Sequence, residues 1–138
     1  MPQEYERAAK LEIDEVLPIL AAHSGLSKKK KVKVEIAGHQ VKVTGVRLQT
    51  FATKGCTCSR CGLKATHFAV ERTANGNVEG FHLNLWGEKD GEEILFTHDH
   101  TIDRVAGGKD DLSNTTTMCS PCNGEKAIEH RNARVKWA

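Results

Sequence analysis

No run in the 138-residue sequence is long and apolar enough to cross a membrane. A secretory signal is missing too. Residues 1–10 are polar, and the apolar run after them is broken by Glu12, Asp14 and Glu15. Aromatic residues are scarce (two Trp, one Tyr, four Phe), and apolar residues make up only 38% of the chain. One domain with a small core is expected, and a small core gains from a metal staple. A strong charge of either sign is also lacking: 20 Lys and Arg stand against 18 Asp and Glu, a formal charge of +2. That balance neither requires nor excludes a nucleic-acid partner, so the distribution of charge decides. The cysteine count, five, is odd, which argues against a framework made only of disulfides. An intracellular, reducing setting is expected, where paired cysteines more often hold metal.

What is present divides into an N-terminal part, residues 1–50, and a part from 51 to 138. Residues 5–23 place Ala8, Leu11, Val16, Ile19 and Leu20 at helical spacing. They predict a packing helix or partner-contacting arm, kinked or divided at Pro18 and ending near Ser24-Gly25. A homodimer or protein-partner contact through this helix is compatible with any function of the rest. Lys28, Lys29, Lys30 and Lys31 open a basic run that is either a solvated linker or a phosphate-contacting strip. The segment from Val32 to Leu48 then alternates with period two, as a hairpin turning near Ala37-Gly38 does. Its apolar face holds Val32, Val34 and Ile36, and its other face is largely basic. His39 reads as an exposed turn residue. Phe51 to Gly62 reads as a loop. From Thr66 to Thr97 a β-meander of three strands follows, with turns at Ala74–Asn77 and Gly87–Gly91. His67 and His82 read as sheet-surface residues.

The chemistry concentrates in two signals. Cys58-x-x-Cys61 and Cys119-x-x-Cys122 are knuckles that can close a tetrahedral zinc site with no open position, so that site is structural. Cys56 could take the place of Cys58, but the x-x spacing followed by Gly62 favours Cys58. Such a staple ties the loop before the meander to a C-terminal helix, and its binding energy counts as folding energy. The second signal is Asp99-His100 at a strand end, then a Gly107-Gly108 turn, Asn114 and Asn123. Phosphodiester hydrolysis needs a base, a divalent metal and ligands that leave that metal open positions. Histidine titrates in the range of such a base, and aspartate and asparagine oxygens suit a hard cation.

The stretch HDHTIDRVAGGKDDLSNTTTMCSPCNGEK resembles the motif of HNH endonucleases, the ββα-metal (His-Me finger) fold, and in particular the zinc-stapled branch common in bacteriophage genomes. The resemblance covers about residues 56–131 and leaves residues 1–50 outside it. It implies an α+β protein: a ββα-metal core with a structural Zn2+ on two knuckles, preceded by a small β-meander and an N-terminal helix. It implies a hydrolase that cuts DNA, by nicking or by double-strand cleavage. Asp99 and Asn123 would hold the catalytic ion, His100 would be the general base, and Asn114 would bond backbone across the loop and hold His100. Asn123 stands where histidine is commoner, which favours Mg2+ or Mn2+ at the catalytic site. Asp103 stands where the family often has proline. Arg104, Lys109 and Lys126 would contact phosphate, with His130 and the basic tail as lesser candidates. The alternative function is a zinc-stabilised nucleic-acid-binding module without catalysis.

Overall fold

In the computed structural model, which describes residues 5–24, 32–74, 80–101, 107 and 112–137, the chain begins with a strand. This strand, β1 (Tyr5–Glu12), replaces the first half of the helix expected over residues 5–23. The Ala, Glu, Lys and Leu residues here favour a helix by only a few tenths of a kcal/mol each. Pairing with an open sheet edge outweighs that preference. The helix proper, α1 (Ile13–Ala22), starts where the Glu15 carboxylate accepts the Glu12 N–H (3.3 Å). Pro18 lies inside α1 without dividing it.

Strands β2 (Lys33–Ile36) and β3 (His39–Lys42) form the expected hairpin, and Ala37 and Gly38 take the positive φ values (53° and 81°) that a tight turn needs. The alternation does not continue beyond it. Val46–Lys54 is a helix, α2, which corrects both the hairpin extension and the loop expected from Phe51. Leu48 and Phe51 recur at helical spacing and are buried, and Gly55, at φ +95°, ends the helix. Next come β4 (Ala65–Thr73), β5 (His82–Lys89) and β6 (Glu92–His100), the predicted meander, with Asp90-Gly91 at its second turn. A 3-10 turn (Leu112–Asn114), β7 (Thr115–Cys119) and α3 (Ser120–Trp137) complete the chain. Among the described residues no helix is long and apolar enough to cross a membrane.

The main sheet has the order β1-β4-β5-β6-β7, all antiparallel. Its apolar face packs on α1, α2 and the hairpin. Val16, Leu20, Val41, Val43, Phe51, Phe68, Val70, Leu83 and Leu85 are fully buried there, and the Phe51 and Phe68 rings meet edge-on at 6.4 Å. The Gln49 amide donates to the carbonyls of Leu20 (3.0 Å) and Val43 (2.8 Å), tying α1 and β3 to α2. β1 therefore shares the main sheet, and α1, the hairpin and α2 share the core, with the rest of the described residues. Gly87 permits the tight join of β5 and β6, since a Cβ there would stand 2.8 Å from the Phe96 ring.

The sheet forks at Trp86. β5 pairs with β6 only through Trp86–Lys89 and Glu92–Leu95, while the second half of β6 pairs with β7. The first half of β5 is left beside a cleft.

The opposite face carries an ion-pair network. Arg7 Nε donates to Glu71 (2.7 Å), and its two terminal nitrogens take both oxygens of Glu93 (3.0 and 3.1 Å). Asn84 and the Trp86 indole N–H also donate to Glu71 (both 2.8 Å). His67 is 3% exposed, so it is not the sheet-surface residue expected; its Nε2 lies 2.6 Å from Glu93. Burial opposes the charge on Glu93, but hydrogen bonds from Arg7 and His67 outweigh it and hold the carboxyl below its ordinary range. Removing one partner of a buried ion pair costs more than removing both. Arg7→Met is expected to lower stability by about 3 kcal/mol in urea unfolding. Adding Glu71→Gln should recover part of that loss, and a strictly additive double variant would refute the coupling.

Candidate active site

Asp99 and His100 are the last two residues of β6. The ladder with β7 runs to them, as Asp99↔Thr116 and His100↔Thr115, so backbone pairing holds both at the strand end. The Thr101 N–H donates to the Asn114 carbonyl (2.8 Å), which closes the mouth of the connecting loop; the Asn114 side chain is buried. Strand alternation sends Asp99 and His100 to opposite faces. The His100 ring meets that of His98, two residues back, edge-on at 5.3 Å. Behind this end of the sheet, the hydroxyls of Thr50 on α2 and Thr115 on β7 bond at 2.8 Å.

Asp99 faces α3. The Lys126 ammonium donates to Asp99 Oδ2 and to the His100 carbonyl (3.0 Å). Sequence reasoning gave Lys126 to phosphate; here it is engaged by the carboxylate itself. Asn123 lies three residues before Lys126, so the two share the helix face turned toward the end of β6. Pro121 sits in the first turn, where a missing N–H costs nothing. A carboxylate and a backbone carbonyl thus border a place already taken by one cation, the Lys126 ammonium. Oxygen donors of this kind fit a hard divalent ion.

The second cluster is made of sulfur. The Sγ atoms of Cys58, Cys61, Cys119 and Cys122 lie within 4.8 Å of one another and could hold a metal ion. Four sulfurs about 2.3 Å from one ion stand about 3.8 Å apart in a tetrahedron. Cys61 and Cys119 are 3.8 Å apart. The first knuckle is built by backbone: the Cys58 N–H donates to Leu63 (2.8 Å), the Gly62 N–H to the Cys58 carbonyl (3.0 Å), and Gly62 takes φ +81°. It docks on β7 through the Ser59 N–H and Thr117 carbonyl (2.9 Å) and through the Thr117 hydroxyl and Gly55 carbonyl (2.6 Å). Burial works against ionising Cys58, but backbone N–H groups of Cys61, Cys119 and Arg60 outweigh it and bring the thiol down to about 6. Burial and then the neighbouring sulfurs push Cys122 up. Thiolates gathered this closely repel one another, and a bound metal cation would relieve that repulsion. Cys56 stands outside the cluster, and burial pushes its thiol up to about 11.

Lys28, Lys29, Lys30, Lys31, Asp103, Arg104 and Lys109 lie outside the described residues, as does the His130 side chain. His82 is exposed, as expected, and His39 lies on the Phe81 ring at 4.0 Å. His67, Glu88 and Glu93 form a second group of ligand atoms, but Arg7 already takes both Glu93 oxygens, so this group belongs to the ion-pair network. Sequence reasoning missed that network. The signal available was the placement of His67, Glu71 and Asn84 on a single face of the predicted meander; Arg7 lay in the segment read as a helix.

No curated protein and no solved structure matches the chain. Residues 87–128 match the family model described as HNH endonuclease. The match begins at the end of β5 and takes in β6, β7 and the start of α3, which together have the order of a ββα-metal unit. Over residues 87–128, just under a third of its length, the chain is similar to the HNH endonuclease family.

Proposed function

We propose that the protein is a metal-dependent endonuclease that hydrolyses phosphodiester bonds of DNA. The observation that carries this reading is the meeting of the β6 end with α3: the Asp99 carboxylate and the His100 carbonyl both accept from Lys126, three residues after Asn123. His100 is the general base and accepts a proton from the attacking water on its imidazole. Backbone pairing to Thr115 and the bond from the Thr101 N–H to the Asn114 carbonyl hold the backbone from which that ring projects, which supports this role. Asp99 and Asn123 hold a divalent ion, Mg2+ or Mn2+. When bound, that ion supplies charge neutralisation at the phosphate and the departing 3′-oxygen. Lys126 orients the Asp99 carboxylate and adds positive charge beside it. Lys28, Lys29, Lys30, Lys31, Arg104 and Lys109 contact flanking phosphates. Cys58, Cys61, Cys119 and Cys122 hold a structural Zn2+ that fixes α3 against the first knuckle.

A second reading, a zinc-stabilised nucleic-acid-binding module without catalysis, draws on the same ion pair, because Lys126 gives Asp99 a structural partner. Supercoiled plasmid separates the two. In MgCl2 or MnCl2 the protein is expected to convert it to nicked or linear DNA, and to leave it intact without a divalent ion, with folding checked in parallel by circular dichroism. Plasmid that is bound yet stays supercoiled with either metal would favour the binding module and overturn the nuclease reading.

A further inference from the structure

The fork between β5 and β6 places unused positive charge beside the candidate active site. Trp86 pairs with Leu95 where the ladder stops. Continued, that register would set Leu83 opposite His98 and His82 opposite Asp99. Instead β6 turns to β7, and the gap is a cleft of about 300 Å³ that His82, Arg47, Tyr5 and Thr97 help to line. Arg47, from the first turn of α2, enters where the missing strand pairing would have been and donates to the Leu83 carbonyl (2.8 Å). Arg47 is a half-buried residue whose guanidinium lies over the Phe51 ring (5.9 Å) and is pushed below its ordinary pKa by burial; among the described residues it meets no carboxylate within ion-pair distance. The other charged groups on the cleft are already matched. Arg72 is paired with Glu6 (2.8 Å), and the Glu71 oxygens are taken by Arg7, Asn84 and Trp86. More positive charge lies behind: burial first, then Arg47, Lys33 and Lys42, holds the His82 imidazole below its ordinary pKa. Lys33 and Lys42 are a cross-strand pair on the hairpin. A partly desolvated cation without a counter-charge, with Lys33 and Lys42 behind it and the His82 imidazole as a hydrogen-bond donor, fits a phosphate.

We propose that this fork is a second phosphate-binding site, in which Arg47 and His82 hold a backbone phosphate of the nucleic-acid strand whose scissile phosphate lies at Asp99 and His100. The site rests on the nuclease reading. It sets where the strand enters, because Thr97 is only two residues, about 7 Å of strand, before Asp99.

The test is affinity for a 20-base-pair duplex as a function of salt, with the full chain carrying His100→Ala so that the DNA stays intact. One phosphate contact contributes about 0.9 to the slope of log affinity against log salt, which is about eightfold in affinity at 0.1 M. Arg47→Gln keeps a donor for the Leu83 carbonyl and removes the charge; it is expected to lower the slope by about one contact. Arg47→Lys, which keeps the charge, is expected to restore it. His82→Ala, which leaves α2 untouched, should weaken binding severalfold even if Arg47→Gln does not fold. Unchanged slope and affinity in these variants, while the parent chain still cuts plasmid, overturn the fork site and leave the nuclease reading standing. A parent chain that neither cuts nor binds duplex removes both. A loss confined to inorganic phosphate, with duplex affinity intact, assigns Arg47 to a free anion and also overturns the site.

Discussion

His100→Ala is expected to slow cleavage of supercoiled plasmid by about a hundredfold to ten-thousandfold, the range a positioned general base contributes. The effect belongs to chemistry rather than folding. His100 ends β6, its backbone pairs with Thr115, and its carbonyl accepts from Lys126; alanine keeps all of these. Duplex affinity, metal content and the far-ultraviolet spectrum should therefore match the parent. Asp99→Ala provides the contrast. It removes a proposed ligand and also leaves Lys126, which is largely buried, without its carboxylate, so both metal response and stability fall. Cleavage by His100→Ala at the parent rate would take the base assignment away from this residue.

Cys119→Ser is expected to have the largest effect on folding. Cys119 is buried at the junction of β7 and α3, and its sulfur is one of four in the cluster. Structural zinc contributes about 10–16 kcal/mol of apparent binding free energy at neutral pH, against a total stability of about 5–15 kcal/mol for a domain. Loss of one thiolate should leave a chain with little bound zinc and no cooperative thermal transition. Cys56→Ala is the control, since its thiol stands apart from the cluster; it should keep one zinc per chain and lose little stability. Elemental analysis with a thermal melt reads both. A Cys119→Ser chain that retains its metal and melts with the parent would show that the cluster is not a staple.

The meander and the hairpin were legible because their residues alternate with period two and their turns carry residues that accept positive φ. The first strand was not. Tyr5, Ala9 and Leu11 are half-buried on β1, but Ala8 and Leu11 also match helical spacing, and only the partner strand β4 decides between the two. Helix α2 was hidden for the opposite reason. Val46 continues the alternation of the hairpin, yet Leu48, Phe51 and Ala52 carry helical spacing and Gly55 carries the stop signal. At the site, residue types and spacing revealed the thiols and the acid–imidazole pair. The bond from Lys126 to Asp99 and the placement of Arg47 in the fork depend on contacts between distant segments, which no local pattern encodes.

Strand β1 has a consequence for the order in which the protein is made. Tyr5 pairs with Thr73, 68 positions later (73 − 5), and Glu12 pairs with His67. At ribosomal speeds of about 5–20 residues per second, β1 waits roughly 3–14 s for its partner to be synthesised. Through that interval its N–H and C=O groups have no ladder, so β1 joins the sheet only after the strand that pairs with it has been made.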